Sequence, residues 1–120
     1  MYKVLMFFKR KPGLTFQQFK DYYESTHAKL GDKYLRATAL KYQRRYLRPI
    51  SHPVGDVETE SDFDCVTEVW FENAGQWKEM AAKVAAPDEA KIVVEDEARF
   101  MDRSKTRMYV AEEHTSWEPA

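Results

Sequence analysis

The sequence predicts a single α+β domain whose strands and helices follow the order βαββαβ. Three observations support this fold class. The chain has 120 residues, which is enough for one hydrophobic core and too few for two. Short apolar or alternating segments, bounded by turn residues, recur four times along the chain. Other segments carry apolar residues at the three- and four-residue steps of a helix.

The first strand is predicted at residues 2–8, an apolar run that the turn residues 9–13 end. Thr15 and Gln18 have the spacing of a capping box, so the first helix is predicted to begin there and to end near Gly31. Apolar and aromatic residues share one face of this helix: Phe16, Phe19, Tyr23, His27 and Leu30. We therefore expect His27 to face the core.

The second strand is predicted at residues 40–48, where side chains alternate until Pro49 closes the stretch. Residues 51–62 lack periodicity and predict a long loop of the kind that covers a site. The third strand is predicted at residues 63–71.

Asn73 and Gln76 repeat the capping spacing, and the helix that they begin is predicted to stop at Pro87. Its core-facing residues are Trp77, Met80, Ala81 and Val84. Residues 88–100 predict a second, shorter helical piece, and residues 107–112 predict the fourth strand.

This order is the ferredoxin-like arrangement, in which helices cover one face of a four-stranded antiparallel sheet. The first strand is apolar on both faces, so the other sheet face also needs a cover. Two copies paired through this face would supply it. The full expectation is therefore a homodimeric α+β barrel built from one domain over residues 1–120.

Composition argues against several classes of protein. Lysine and arginine (19) nearly balance aspartate and glutamate (20), and no basic surface suited to nucleic acid is predicted. No apolar run approaches the ~20 residues of a membrane helix, and the first residues do not resemble a signal peptide. We expect a cytoplasmic protein without a membrane partner. The single cysteine, Cys65, is expected to be structural, and no ligand set for a metal is predicted.

Two residues could serve at a site, and for each of them the pattern alone favours an ordinary structural alternative. An imidazole on an apolar helix face loses hydration, so His27 suits a general base; the alternative is a core histidine bonded to a backbone carbonyl. Tyr42 could donate a hydrogen bond to a developing enolate or phenolate oxygen, and the alternative is packing in the sheet.

Three further groups of polar residues are expected to be structural or solvated, but one of them, His52, also has a possible catalytic role. His52 could return a proton if its loop folds over the pocket, although a solvated loop histidine is the default. Arg44 and Glu68 are expected to form a cross-strand ion pair. The carboxylates of residues 95–97 are expected to spread around a solvated helix with no histidine near them.

Segments 11–16 (KPGLTF), 25–30 (STHAKL), 63–71 (FDCVTEVWF), 96–102 (DEARFMD) and 107–114 (RMYVAEEH) resemble, in order and spacing, the EthD family. The resemblance implies a ferredoxin-like fold and cofactor-free chemistry on small oxygenated cyclic or aromatic molecules, in a pocket between helices and sheet. It also matches His27 to the histidine that ends the first helix in members of the family. Tyr42 and His52 resemble pocket residues of members that isomerise methylmuconolactone, and Val69 replaces the cysteine of those members.

Other members of the family decarboxylate fungal polyketides. They usually have proline after the His-Ala pair and tryptophan before it, whereas this chain has Lys29 and the pair Tyr22-Tyr23. This difference weighs against the decarboxylase function.

The sequence thus predicts a cofactor-independent isomerase or lyase. The expected catalytic residues are His27, Tyr42 and His52, and the expected substrate-binding residues are Tyr23, Tyr46, Val69 and Phe100. No cofactor or metal is expected, so activity should survive chelation. The alternative is a non-catalytic carrier of a hydrophobic metabolite or haem. A haem-degrading function would also place His27 near the iron, since neutral imidazole is a natural axial ligand.

Overall fold

The four predicted strand segments form one antiparallel sheet in the computed structural model, which describes residues 1–55 and 61–120. The strands within this part of the chain are β1 (Tyr2–Phe8), β2 (Lys41–Tyr46), β3 (Cys65–Phe71) and β4 (Arg107–Val110). Their order in the sheet is β2-β3-β1-β4. Strands β2, β3 and β4 are each shorter than predicted, although residues just beyond their ends still donate backbone hydrogen bonds to neighbouring segments: Leu40, Leu47, Asp64 and Ala111.

The first helical region has three parts: α1 (Phe16–Tyr22), a π-helical turn (Tyr23–His27) and α2 (Ala28–Leu35). The capping box at Thr15 is confirmed, since the Gln18 amide donates to Thr15 Oγ1 at 3.1 Å and Thr15 N donates to Gln18 Oε1 at 2.9 Å. The predicted end near Gly31 was wrong. Gly31 lies inside α2, where its missing side chain makes room for the Tyr42 ring.

The second helical region also begins as predicted. Asn73 caps α3 (Ala74–Ala85), because its Oδ1 accepts a hydrogen bond from the Gln76 amide at 3.0 Å. Pro87 ends α3 and is also the first residue of α4 (Pro87–Ala98), a position where its missing N–H has no cost. This helix confirms the second helical piece, and a 3₁₀ turn (Arg103–Lys105) leads from it to β4.

The helices pack on one face of the sheet. Two buried clusters fill the layer between them: Phe8, Phe19, Tyr23, Phe100 and Met101 around α1, and Val4, Leu35, Val69, Phe71 and Met80 around α3. The opposite face, here called the outer face, carries the alternate residues of each strand, among them Leu5, Phe7 and Val66. The fold is ferredoxin-like, as predicted.

None of the helices in residues 1–55 and 61–120 is both long enough and apolar enough to cross a bilayer.

Candidate functional site

A cavity of about 480 Å³ lies between the helix layer and the sheet. β1, β2 and β3 form its floor, and α2, α3 and α4 form its roof and sides. Four of the residues predicted from the sequence line it: His27, Tyr42, Tyr23 and Val69. The structure therefore brings residues from three separate segments of the chain to one partly open cavity.

His27 is held in the cavity wall by a carboxylate. Its Nδ1 lies 2.6 Å from Asp96 Oδ2, and Tyr22 donates its hydroxyl to Asp96 Oδ1 at 2.6 Å. A carboxylate can only accept hydrogen bonds, so Nδ1 carries the proton that it donates to Asp96. In the described part of the chain, Nε2 of His27 has no hydrogen-bond partner, which leaves this nitrogen for a ligand.

The side chains around this pair exclude water from it. His27 is 9% exposed and Asp96 is 4% exposed. The imidazole packs against the rings of Tyr23 and Phe100, with ring centroids 5.0 and 4.9 Å away. A hydrogen bond in such surroundings is stronger than one in water, so the orientation of the imidazole is well defined.

The π-helical turn sets the position of His27. The Ala28 amide donates to the carbonyl of Tyr23, five residues back, where an α-helix would use the fourth. Single π turns inside α-helices are frequent at functional sites. Here the turn buries both Tyr23 and His27, while the three residues between them remain exposed.

A row of hydroxyl groups begins beside His27, whose ring centroid lies 5.0 Å from that of Tyr23. Tyr42 donates to the Tyr23 hydroxyl at 3.4 Å, and the Tyr23 hydroxyl lies 2.5 Å from Thr67 Oγ1. Burial raises the pKa of Tyr42 and raises that of Tyr23 well above its usual range. Both phenols therefore remain protonated at neutral pH and can act as donors.

Arg44 supports this row from the edge strand β2. Its guanidinium lies 4.8 Å from the Tyr42 ring centroid and forms a bidentate pair with Glu24, at 2.6 and 2.9 Å. The prediction of an Arg44–Glu68 pair was wrong, because Arg44 points toward the helices and Glu68 toward the outer face. Glu68 pairs with Arg45 instead.

Three predicted site residues lie outside the cavity wall. The Tyr46 hydroxyl donates to Glu24, and the Tyr46 ring packs on Phe19. Phe100 lies behind His27 and Tyr22 and supports them. His52 is exposed and accepts a hydrogen bond from the Val54 amide at 2.9 Å. Residues 56–60 of the predicted covering loop lie outside the described residues.

Sequence reasoning missed Asp96. Residues 95–97 were expected to lie on a solvated face without a histidine nearby, and for Asp96 this was wrong. A signal was present, since Asp96 lies three residues after Val93 and four before Phe100. That spacing places it on the buried side of α4. A carboxylate on an apolar helix face needs partners, and His27 and Tyr22 supply them.

Cys65, the first residue of β3, is buried between the sheet and the helices, as expected for a structural cysteine, and burial raises its pKa to about 12. Among residues 1–55 and 61–120, no three or more histidine, cysteine, aspartate or glutamate side chains form a group that could hold a metal ion.

The fold and topology define the class of protein: a small ferredoxin-like α+β domain. The chain belongs to the EthD domain family, whose model matches residues 11–104. The match includes His27, Tyr42, Val69 and Asp96. The family resemblance drawn from the sequence motifs is thereby confirmed. No curated protein matches the chain.

Solved structures share the fold at low sequence identity. At3g17210 from Arabidopsis thaliana matches with a TM-score of 0.61 and 14% identity, over 98% of this chain and 100% of that chain. HapK from Hahella chejuensis matches with a TM-score of 0.57 and 9% identity, over 100% and 99%. A dimeric protein of unknown function and ferredoxin-like fold from Bacteroides fragilis has a TM-score of 0.49 and 14% identity, over 92% and 94%.

Proposed function

We propose that this protein is a cofactor-independent isomerase or lyase that moves a proton within a small oxygenated aromatic, lactone or polyketide-like molecule. One observation carries the proposal: the 2.6 Å hydrogen bond between His27 Nδ1 and Asp96 Oδ2 in the wall of the cavity. This bond fixes the tautomer in which Nε2 is the basic nitrogen. Asp96 also stabilises the imidazolium that forms when Nε2 takes a proton.

The proposed reaction starts with proton abstraction. Nε2 of His27 removes a proton from a carbon next to a carbonyl group, and the electron pair of the broken C–H bond moves to the carbonyl oxygen. Tyr42 shifts its hydrogen bond from the Tyr23 hydroxyl, 3.4 Å away, to the enolate oxygen that develops. The imidazolium then returns the proton to a different atom, which completes an isomerisation. In a lyase step, the electron pair of the enolate instead forms a new double bond and expels a leaving group from the β carbon, and this group takes the proton from the imidazolium.

The second candidate is a carrier that binds a hydrophobic metabolite in the same cavity without turnover. The apolar lining of α3 and α4, with Met80, Ala81 and Val84, favours this function as well. Binding without chemistry is its experimental signature.

The test uses 4-methylmuconolactone and 2,4-dihydroxybenzoate as probes in deuterated buffer, with hydrogen–deuterium exchange and products followed by NMR. We expect exchange or turnover with the parent protein and a loss of about 100- to 10,000-fold in His27→Asn, because a general base contributes this much. Asp96→Asn should also slow the reaction, since it weakens the support of the imidazolium. His114→Asn is the matched control, because this histidine is exposed.

Three outcomes would contradict parts of this proposal. If His27→Asn lowers the melting temperature but leaves the reaction rate unchanged, His27 is a core residue and the mechanism is wrong. Binding of either probe without exchange or turnover would favour the carrier. His52→Asn, measured beside these variants, tests the acid role predicted for His52; a rate equal to that of the parent would remove His52 from the catalytic set.

We also propose that two copies pair through the outer face of the sheet. Leu5, Phe7 and Val66 form a partly exposed apolar area there. A second copy seated on this area would supply the apolar cover that one chain lacks.

A further inference from the structure

The cavity has two ends that differ in chemistry. Its polar end holds Nε2 of His27 and the hydroxyl row of Tyr42, Tyr23 and Thr67. The other end, here called the apolar arm, is lined by Leu35, Trp77, Met80, Ala81, Val84 and Val93. Resting on the proposed function, we propose that the apolar arm holds an alkyl chain of the substrate. The substrate class is then an oxygenated ring that carries an alkyl substituent.

The register of β3 separates the two ends. Thr67, Val69 and Phe71 are successive inward-facing residues, and each step of two residues advances about 6.6 Å along a strand. Thr67 contacts Tyr23 at the polar end, whereas Phe71 packs against Trp77 with ring centroids 5.8 Å apart. A ring bound near Tyr42 therefore leaves space for a chain that extends toward Trp77.

The size of the cavity points to the same class of ligand. An apolar cavity of about 150 Å³ is enough for benzene, whereas this cavity measures about 480 Å³. A ring alone would leave most of the apolar arm in contact with water. An alkyl chain would displace that water, and each buried methylene should tighten binding by about 2- to 4-fold.

The binding test uses phenol and the 4-methyl, 4-ethyl, 4-propyl, 4-butyl and 4-pentyl phenols, with dissociation constants from isothermal titration calorimetry. Trp77 lines the apolar arm, so its fluorescence gives a second readout. We expect the dissociation constant to fall by about 2- to 4-fold per methylene until the arm is full. Trp77→Phe should remove the fluorescence change that accompanies binding of the longer chains.

Two matched variants of α3 locate the effect. Ala81 lines the cavity, whereas Ala82 is exposed on the same helix. Ala81→Leu should abolish the gain in affinity for the longer chains. Ala82→Leu should behave as the parent does. A parent protein with no dependence on chain length, or an Ala81→Leu variant with the parental dependence, would overturn the proposal.

Failure of this inference is separable from failure of the proposed function. Dependence on chain length without any exchange or turnover would support the apolar arm and contradict the enzyme. Turnover of the ring probes without dependence on chain length would support the enzyme and contradict the arm. His27→Asn should retain the chain-length dependence, because His27 lies at the polar end of the cavity.

Discussion

Gly31 shows how a single residue sets the geometry of the candidate site. A Cβ atom at this position would lie 2.7 Å from the Tyr42 hydroxyl oxygen and 3.0 Å from the ring carbon that bears it. Contacts this short require the Tyr42 ring to move. The absence of a side chain at Gly31 therefore allows the Tyr42 hydroxyl to lie within 3.4 Å of the Tyr23 hydroxyl.

Gly31→Ala should slow the reaction about as much as Tyr42→Phe does, because both variants remove the Tyr42 hydroxyl from its place. The free energy of unfolding should change less than the activation free energy does. Alanine favours a helix over glycine by roughly 1 kcal/mol, which offsets part of the cost of its contact with the Tyr42 ring. The measurement is a double-mutant cycle on the exchange rate with the muconolactone or benzoate probe. Adding Gly31→Ala to Tyr42→Phe should cost nothing further, and additive losses would contradict this role for Gly31.

At the scale of elements, the caps show where local sequence determines structure. The Asn73 side chain caps α3, and the Glu72 amide donates to Gln76 Oε1 at 3.1 Å. Asn73→Ala should lower the free energy of unfolding by about 1 kcal/mol, measured by chemical denaturation. Asn73→Asp keeps an acceptor at the same position and is the matched control. Equal losses in the two variants would show that the cap hydrogen bond is not the cause.

Most elements could be predicted because their signals are local. The capping residues Thr15 and Asn73, the alternation in β2 and the apolar run in β1 each act over a few residues. Pro87 was predicted to end a helix, and its second role as the start of α4 follows from the same missing N–H.

The π-helical turn and the partner of His27 could not be predicted with the same ease. Apolar spacing does not distinguish a π turn from an α-helix when both bury Tyr23 and His27. The bond between His27 and Asp96 joins residues 69 positions apart, so no local pattern reveals it. His27 and Tyr42 could be predicted from the sequence. Asp96, which orients His27, could not, because its position depends on the packing of α4 against the first helical region.

For the whole molecule, the outer face of the sheet combines polar side chains that are paired within one chain and apolar side chains that are partly exposed. On the outer face, Lys3 and Lys41 lie over the Trp70 ring, with Nζ atoms 3.9 and 4.4 Å from its centroid. The Trp70 indole donates to Glu68 at 2.6 Å. These contacts are complete within one chain. Beside them, Phe7 and Val66 remain partly exposed, and the Phe7 ring lies 5.1 and 5.6 Å from the ring centroids of Phe63 and Tyr109.

The pairing of two copies can be tested by light scattering coupled to size-exclusion chromatography. We expect twice the 14.2 kDa mass of one chain at micromolar concentration. Phe7→Glu should yield monomers, because pairing would bury an uncompensated carboxylate. Ile92→Glu introduces the same charge on α4, which lies in the helix layer, and should leave the dimer intact. Far-ultraviolet circular dichroism checks that both variants are folded. A parent protein that elutes as a monomer would contradict the pairing, and a dimeric, folded Phe7→Glu protein would exclude the outer face as the interface, because the charge would then lie between the two sheets without a partner.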